Sequence, residues 1–207
     1  MKTNVYVDGF NFYYGCIRGT PWRWLDLEKL CRLLLPSHEI NRIRYFTALV
    51  NARPNDPNQP QRQQTYLRAL KTLPVISLHF GHFLSNEINM PLAHPPPAGP
   101  RTATVIKTEE KGSDVNLAAF LLIDAFDDDC EQAVVFSNDS DLLTPIQIVR
   151  ERFGVQVGIF NPQKNRSWTL FNSVDFYRPI RKGPLSASQF PKTLSDSNGT
   201  FTKPQGW

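Results

Sequence analysis

Ala133–Asp141 (AVVFSNDSD) is the stretch that decides the fold class, because an unbroken apolar run leads here directly into polar and acidic residues. Such a short, continuously apolar run is typical of a central strand in a parallel sheet, which is buried on both faces. Val5–Val7 is a second β-type run, and it ends at Asp8-Gly9, which is a turn signal. Each strand therefore places an aspartate at or just beyond its carboxyl end.

On either side of these two runs, strand patterns alternate with helical ones. Strands are predicted at residues 5–7, 40–50, 75–84, 133–136, 155–160 and 174–177, and helices at residues 25–35, 61–73, 114–126 and 142–153. This alternation predicts an α/β fold with a central, mostly parallel sheet and helices on both faces. In such sheets the site lies at the carboxyl ends of the strands, near the point where the strand order reverses. If the first and fourth strands are neighbours, Asp8, Asp139 and Asp141 share one crevice.

Two segments lack usable periodicity. Residues 85–104 contain five prolines, and a loop of this length is usually functional or disordered, so a mobile flap is predicted. Residues 183–207 are rich in Ser, Thr, Pro and Gly and poor in aliphatic residues, so a disordered tail is predicted. The expected organisation is one domain over residues 1–182, interrupted by the flap and followed by the tail. Either segment could bind a protein partner.

The charge is unevenly distributed, although the net charge of +4 over 207 residues and the sequence pI of about 9.0 are mild. Acidic residues concentrate between Glu109 and Asp141, and basic segments flank this centre. The basic residues expected to form a phosphate-binding rim are Arg62, Arg68, Lys164 and Arg166. An acidic centre with basic flanks suits a metal-assisted enzyme that acts on phosphodiesters, and a polyanionic partner would not be repelled. Ordinary solvated faces explain the same distribution about equally well.

Several other classes of protein are disfavoured. The three cysteines, Cys16, Cys31 and Cys130, form no CxxC pair and leave one over, so neither a disulfide framework nor a zinc site is indicated. No apolar run reaches about 18 residues, and the N-terminus shows no signal-peptide pattern. We therefore expect a cytoplasmic protein that does not contact a membrane.

Four aspartates are the candidate catalytic residues: Asp8, Asp114, Asp139 and Asp141. Each alone has a plain structural explanation, as a turn residue or a helix cap. Capping does not require two carboxylates two positions apart, however, and three independent segments deliver acids to one predicted edge. Carboxylates held close together repel one another unless a cation neutralises them, and hard oxygen ligands select Mg²⁺ or Mn²⁺. Lys111, beside Asp114, either contacts a substrate phosphate or is simply an exposed lysine.

Three blocks of the sequence resemble the signature blocks of NYN domains, a branch of the PIN-like nucleases. They are Tyr6–Asn11 (YVDGFN), Glu110–Ala118 (EKGSDVNLA) and Ser137–Leu142 (SNDSDL), and they occur in the family's order. The resemblance covers most of the chain before the predicted tail. It implies a PIN-like three-layer fold and cleavage of RNA with a divalent metal ion as cofactor.

The resemblance also implies roles for individual residues. Asp8, Asp114 and Asp139 match the family's metal-binding acids, and Asp141 is a fourth acid. Asn11 would order the loop after Asp8 or touch the substrate. The remaining residues of the blocks that are expected at the substrate are Lys111, Ser137 and Asn138.

One position departs from the family's pattern. Many members carry a further acid six residues after the Asp114 position, where this chain has Phe120. Asp124, the nearest later acid, lies about 15 Å along the helix from Asp114 and cannot share the same ion. A complete two-metal site is therefore in doubt, and an inactive RNA-binding or scaffold domain of the same fold is an open alternative. A phosphatase of the haloacid dehalogenase type is disfavoured, because Phe10 stands where its second aspartate is required.

Overall fold

Ten strands and seven helices make up the chain in the computed structural model, which describes residues Met1–Trp207. The strands are β1 (Lys2–Asp8), β2 (Glu39–Thr47), β3 (Ile76–Phe80), β4 (His82–Pro91), β5 (Thr102–Lys111), β6 (Gln132–Phe136), β7 (Gln156–Asn161), β8 (Phe176–Pro179), β9 (Thr193–Asp196) and β10 (Gly199–Thr202). The helices are α1 (Gly9–Phe12), α2 (Leu27–Leu34), α3 (Gln59–Leu70), α4 (Ser113–Phe126), α5 (Leu143–Phe153), α6 (Trp168–Phe171) and α7 (Lys182–Ala187). A π-helical turn over Tyr13–Ile17 extends α1, and a 3₁₀ turn over Ser140–Leu142 leads into α5. None of the helices has both the length and the apolar character that a membrane crossing requires.

A six-stranded sheet forms the middle layer, with the strands in the order β3-β2-β1-β6-β7-β8. All the neighbouring pairs run parallel. The chain builds the sheet outward from β1 to β3, then returns to the centre and builds β6 to β8 on the other side. The strand order therefore reverses between β1 and β6, whose register pairs Val7 with Phe136. Asp8 and Ser137 accordingly leave the sheet side by side.

Alternate residues of the central strands supply two hydrophobic cores, one on each face of the sheet. Val5 and Val7 of β1 belong to the core that α2 and α3 cover, whereas Tyr6 belongs to the core under α4 and α5. Neighbouring residues separate in this way because successive side chains of a strand point to opposite faces. Helices therefore cover both faces, and the predicted three-layer α/β fold is confirmed.

The ends of the predicted elements lie close to the observed ones, with one informative exception. The helix predicted at 114–126 begins at Ser113, and Gly154 ends α5 in the left-handed conformation (φ 69°) that glycine adopts easily. The strand predicted at 75–84 is instead divided at Gly81, where the chain leaves the sheet and starts β4. A side chain at Gly81 would collide with the backbone of Lys111, so the close passage of the two segments requires glycine.

The prediction that residues 85–104 form an irregular loop is corrected, because half of them lie in the two strands of a β-hairpin, and the mobility of this hairpin stays a prediction. β4 and β5 pair in antiparallel register from His82 with Lys111 to Pro91 with Thr102. Apart from Pro91, the prolines that suggest a loop lie in the turn between the strands. The β-branched residues of β5 favour a strand, and this preference outweighs the proline signal.

The prediction of a disordered tail at residues 183–207 is also corrected, because this segment packs onto the rest of the molecule. α7 buries Leu185, and the rings of Phe190 and Phe201 lie 5.7 and 6.5 Å from that of Trp24. The Trp24 indole N–H also donates a hydrogen bond to the carbonyl of Pro191 at 2.8 Å. Aromatic residues, and not the scarce aliphatic ones, supply the buried area that orders the segment.

Candidate active site at the carboxyl edge of the sheet

Asp8 is the most buried acid of the site, with 4% of its surface exposed. One of its carboxylate oxygens accepts a hydrogen bond from the backbone N–H of Asn11, and the other accepts from the Ser137 hydroxyl, both at 2.9 Å. A side chain at the following residue, Gly9, would lie 2.6 Å from the carbonyl oxygen of Phe46, so the turn needs glycine there. Asp8 is therefore fixed at the junction of β1 and β6.

Asp139 is held by the segment that follows β6. Its backbone N–H donates to the Ser137 hydroxyl at 3.1 Å, and its carboxylate accepts from the N–H of Asp141 at 3.0 Å, so it caps the 3₁₀ turn before α5. Ser137 thus connects Asp8 to Asp139 through one buried hydroxyl group. The structure brings these acids together, with Asp141 on the exposed side of the turn.

Asp114 reaches the same edge from α4. The backbone N–H and the hydroxyl of Ser113 both donate to the Glu110 carboxylate, at 3.1 and 2.6 Å, and this contact satisfies the first N–H of the helix. Gly112 precedes the helix in the left-handed conformation (φ 96°), which glycine adopts without strain. Asp114 accepts no hydrogen bond from the helix backbone, although an acid in the first turn of a helix is also favoured by the helix dipole.

The four acids form no salt bridge, and their charges oppose one another's ionisation. The pKa of Asp8 is raised to about 6, mainly by burial and also by the nearby charges of Asp114 and Asp139. Partial burial of its carboxyl group raises the pKa of Asp114, and the charges of Asp139, Glu110 and Asp141 raise it further. An acidic cluster without a cationic side chain favours the binding of a positive ion.

The donor atoms suit Mg²⁺ or Mn²⁺, because all of them are carboxylate oxygens. Their spacing is looser than the sequence predicts, since no group of three or more His, Cys, Asp or Glu side chains is close enough to hold a metal ion. A shell of Asp8, Asp114 and Asp139 together is therefore not preassembled. Mg²⁺ usually keeps several waters and binds through one or two carboxylates plus a substrate phosphate. The acids fit a metal ion bound in that way.

Two asparagines that are predicted at the substrate connect the loops of the site. The side-chain carbonyl of Asn11 accepts from the backbone N–H of Asn138 at 3.2 Å and from the Gln163 amide at 3.3 Å. The Asn138 side chain donates to the carbonyl of Asn165 and accepts from the N–H of Ser167. Asn11 therefore orders its loop, which is one of its two predicted roles. The prediction that Asn138 contacts the substrate is corrected, because its side-chain polar atoms form hydrogen bonds within the chain and hold the loop after β7.

Gln163 and Tyr177 complete this network, and sequence reasoning misses both. The Gln163 amide donates to the carbonyl groups of Asn11, and the Tyr177 hydroxyl donates to the side chain of Asn138. No motif marks either residue. Gln163 does follow the carboxyl end of β7, and that position is the one signal that points to it.

Lys164 and Arg166 are the predicted rim residues that lie near the acids. Both are exposed in the loop between β7 and α6, which Asn138 anchors. The Arg166 guanidinium stacks on the rings of Trp168 and Phe171, at 4.9 and 4.7 Å from their centroids. Neither Lys164 nor Arg166 forms an ion pair within the chain, so the prediction of a phosphate-binding role for both stays open.

The prediction that Arg62 and Arg68 belong to the phosphate-binding rim is corrected, because carboxylates of the chain neutralise both. Arg62 pairs with Asp56, and Arg68 donates two hydrogen bonds to Asp196 of β9, at 2.7 and 2.6 Å. The sequence does not reveal these partners, and the second one lies in the segment predicted to be disordered. The basic rim is therefore reduced to the two residues of the loop after β7.

Lys111 lies at the end of β5, three residues before Asp114. Its ammonium group is 3.4 Å from the carboxylate of Glu109, and the Lys111 side chain is 51% exposed. Ion pairs this exposed contribute little, so the contact does not prevent Lys111 from meeting a phosphate. Its role at the substrate stays a prediction.

Phe120 stands where the family resemblance leads one to expect a further acid. Its ring centroid is 4.2 Å from that of His79, and the Arg44 guanidinium lies 4.4 Å from the Phe120 centroid. Arg44 in turn forms a buried, bidentate pair with Asp124, at 2.8 and 2.6 Å. Asp124 is therefore a structural acid, and Phe120 packs against the arginine of that pair.

A cavity of about 360 Å³ lies beside the turn that follows Asp8. Gly9 and Phe10 of that turn line it, together with residues of β2, α3 and the C-terminal segment, Trp207 among them. Its volume is in the range of small-molecule sites. No sequence motif predicts the cavity, because its wall comes from segments that are far apart in the chain.

An acidic cluster at the switch point of a parallel sheet, with helices on both faces, is the arrangement of a PIN-like, nuclease-type domain. The chain belongs to the NYN domain family, whose model matches residues 2–181, and the family suspected from the three blocks is thereby confirmed. The chain is 35% identical, over 237 residues, to 6-hydroxy-3-succinoylpyridine 3-monooxygenase HspA of Pseudomonas putida (strain DSM 28022 / S16). That similarity covers all of this chain and 75% of the relative. A solved structure of a protein of unknown function from Vibrio parahaemolyticus RIMD 2210633 shares the fold, with a TM-score of 0.57 and 16% identity over 87% of this chain and 93% of that one.

Proposed function

We propose that the protein is a metal-dependent endoribonuclease that hydrolyses phosphodiester bonds of single-stranded RNA. One observation carries the proposal: three chain segments bring Asp8, Asp114, Asp139 and Asp141 to one edge of the sheet without a cationic partner. Membership of a family of nuclease-type domains supports it. A bound Mg²⁺ or Mn²⁺ would supply an activated water and neutralise the charge that develops on the phosphodiester.

The chain's own residues hold and orient the groups of this site. One or two carboxylates among Asp8, Asp114 and Asp139 would bind the ion together with a substrate phosphate, and Asp141, which is exposed, can accept a hydrogen bond from water. The Ser137 hydroxyl donates to the Asp8 carboxylate and accepts from the backbone N–H of Asp139, so it sets the position of one acid relative to the other. The substrate's neighbouring phosphates would meet the basic loop after β7.

Asp139→Asn tests the proposal, because it keeps the size and capping capacity of the side chain and removes its charge. Asn and Asp cap helices about equally well, so the fold should survive. Metal-dependent cleavage of a fluorescent single-stranded RNA should fall roughly 100-fold or more, the usual effect of removing one charge-stabilising group from a catalytic centre. Binding of the same RNA in EDTA should be unchanged or tighter, because one fewer negative charge repels its phosphates.

Asp128→Asn is the matched control. Asp128 is exposed beyond the C-terminal end of α4 and has a φ of 54°, a conformation that asparagine also tolerates. This variant should cleave RNA at the wild-type rate. Wild-type cleavage by a folded Asp139→Asn protein would remove Asp139 from the mechanism. RNA binding by the wild type without metal-dependent cleavage would favour the alternative, an RNA-binding domain without turnover.

A second candidate function rests on the cavity beside Asp8. The Pseudomonas relative is named as a monooxygenase of 6-hydroxy-3-succinoylpyridine. A cavity with aromatic and arginine residues in its lining suits an aromatic ring that bears an acid group. The chain would then act on a small aromatic acid. Incubation with that pyridine, ¹⁸O-labelled dioxygen and an electron donor, followed by mass spectrometry for a pyridine product that contains one labelled oxygen atom, tests this candidate; since C3 bears the succinoyl chain, release of that chain is measured in the same sample.

A further inference from the structure

Part of the lining of the cavity beside Asp8 is aromatic. Tyr13, Tyr45, Tyr66 and Trp207 contribute to it, and the rings of Tyr66 and Trp207 lie with their centroids 5.8 Å apart. Aromatic side chains in a cavity of about 360 Å³ offer stacking and edge contacts to a planar ring. The aromatic lining therefore matches a planar, aromatic ligand.

Another part of the lining is cationic, and two of its polar atoms have no partner. Arg18 and Arg23 form no ion pair, whereas Arg62 in the same lining is neutralised within the chain. The Nε of Arg23 is buried without a hydrogen-bond partner, and so is the side-chain oxygen of Gln59. Buried polar groups are nearly always hydrogen-bonded, and these two atoms have almost no accessible surface, so a ligand satisfies them only after the two side chains turn toward the cavity. After such a turn, Arg23 needs an acceptor and Gln59 a donor from the ligand.

A single turn, the one after β1, stands between the cavity and the acidic cluster, so the two are adjacent. A side chain at Gly9 would lie 2.9 Å from the Tyr45 hydroxyl, so Tyr45 packs directly against this turn. Burial raises the pKa of Tyr45, and the charge of Asp8 is near enough to raise it further. A ligand in the cavity is therefore a neighbour of the most buried acid of the site.

We propose that this cavity binds one nucleotide with a 5′-phosphate, either at the 5′ end of the RNA strand or as a free nucleoside monophosphate. The base packs against the aromatic lining and donates an N–H to Gln59, and the phosphate accepts hydrogen bonds from Arg23 and Arg18. A strand held in this way runs from the cavity to the acidic edge, where its next phosphodiester meets Asp8. The inference rests on the proposed ribonuclease function and names a nucleotide subsite for it.

The charge of the lining favours a nucleotide over a small aromatic acid. The donor that Gln59 needs does not separate the two ligands, because every common RNA base carries an N–H group and 6-hydroxy-3-succinoylpyridine carries a hydroxyl group. Arg18 and Arg23 together match a phosphate monoester, which carries close to two negative charges at neutral pH, whereas a carboxylate carries one. The two arginines of the lining therefore agree with a nucleotide that bears a terminal phosphate.

Binding is measured with the full chain in EDTA, so that no metal-dependent step contributes. The four nucleoside 5′-monophosphates are titrated by calorimetry, with inorganic phosphate, ribose 5-phosphate and nicotinate as comparison ligands. At least one nucleotide should bind saturably and more tightly than any comparison ligand. Arg23→Met should weaken nucleotide binding about tenfold or more, since a hydrogen bond to a charged group is lost. Gln59→Met should weaken the binding of nucleotides and leave that of ribose 5-phosphate unchanged.

Arg152→Met is the matched control, because Arg152 is exposed on α5 and forms no ion pair, and it should bind nucleotides as the wild type does. Asp139→Asn should keep nucleotide binding even where it loses cleavage, so the ribonuclease proposal and this subsite can fail separately. Arg18→Met, at an exposed position, replaces Arg23→Met if circular dichroism shows the latter unfolded. The subsite is overturned if no nucleotide binds saturably, or if the folded arginine and Gln59 variants bind as the wild type does. Tighter binding of nicotinate than of every nucleotide would also overturn it and indicate a site for small aromatic acids.

Discussion

Burial sets the protonation of Asp8 before any substrate binds. The pKa of Asp8 is raised to about 6, mainly by burial, whereas an aspartate in an unfolded chain has a pKa of about 3.9. Between these two pH values the folded protein binds the proton more tightly than the unfolded chain does. Because the unfolded chain ionises first, the free energy of unfolding falls as the pH rises through this window, and the loss is complete above the folded pKa.

Replacement of Asp8 by an uncharged residue should therefore stabilise the metal-free protein. We predict that Asp8→Asn raises the free energy of unfolding at pH 7 by roughly 1–3 kcal/mol, since one pKa unit corresponds to about 1.4 kcal/mol. Asparagine can still accept from the N–H of Asn11, and the Ser137 hydroxyl can turn to accept from the new amide. Urea unfolding in EDTA measures the effect, which should be present at pH 7 and nearly absent at pH 4. Addition of Mg²⁺ should raise the melting temperature of the wild type more than that of the variant.

Glu151→Gln provides the comparison for this prediction. Glu151 is an exposed acid near the C-terminal end of α5, at the opposite edge of the sheet, so its replacement should change stability by no more than about 0.5 kcal/mol. A lower stability of Asp8→Asn at pH 7 would mean that the hydrogen bonds of the carboxylate outweigh the cost of burying its charge.

Among the elements, the loop between β7 and α6 carries the cations nearest the acids. Asn11 and Asn138 hold the loop, and Lys164 and Arg166 project from it into solvent. We predict that Lys164→Ala/Arg166→Ala reduces the slope of log binding constant against log salt by roughly 1–2, about one unit for each lost phosphate contact. Binding of single-stranded RNA in EDTA across a salt series measures the slope.

Arg68→Ala is the matched variant for the salt series. The charge of Arg68 is neutralised by Asp196, so its loss should leave the salt slope unchanged while it lowers the stability of the protein. An unchanged slope in the Lys164→Ala/Arg166→Ala protein, with a reduced slope in Arg68→Ala, would place the RNA on the surface of α3 instead.

A strand or helix can be predicted from the sequence when its own residues show a characteristic pattern of apolar, glycine or proline positions. β6 is apolar over most of its length, and Gly154 marks the end of α5, so both elements are placed to within one residue. The β4–β5 hairpin depends on pairs such as Ser85 with Thr108, whose hydroxyl groups lie 2.8 Å apart across the strands. Such cross-strand pairs stabilise a hairpin, but a local pattern does not show which distant residues will meet.

The same distinction applies to the candidate site. Asp8 and Asp139 lie where strands end, so the rule for parallel sheets places them together once the two strands are neighbours. Asp114 starts a helix, and resemblance to the family's second block is what assigns it to the site. The cavity has no such signal, since Arg23 and Gln59 meet in it from separate segments with no characteristic spacing.

On the scale of the whole molecule, the C-terminal segment joins α2, α3 and the cavity into one structure. The backbone N–H of Asp26 donates to the carbonyl of Ser188 at 2.8 Å, and the N–H of Phe190 donates to the carbonyl of Trp24 at 2.9 Å. Trp207, in the same segment, lines the cavity. Stability and nucleotide binding should therefore both depend on residues that composition alone assigns to a disordered tail.

Phe190→Ala tests this dependence. Phe190 is 7% exposed and packs on the Trp24 ring, so its loss should lower the free energy of unfolding by roughly 3–5 kcal/mol, the usual cost of removing a buried aromatic ring. Lys192→Ala, an exposed change in the same segment, should alter it by no more than about 0.5 kcal/mol. Urea unfolding followed by tryptophan fluorescence compares the two, and the unfolding curve should stay cooperative in both. If Phe190→Ala is as stable as the wild type, the packing of Phe190 on Trp24 does not stabilise the folded protein. The disorder that the composition of residues 183–207 predicts would then describe this segment in solution.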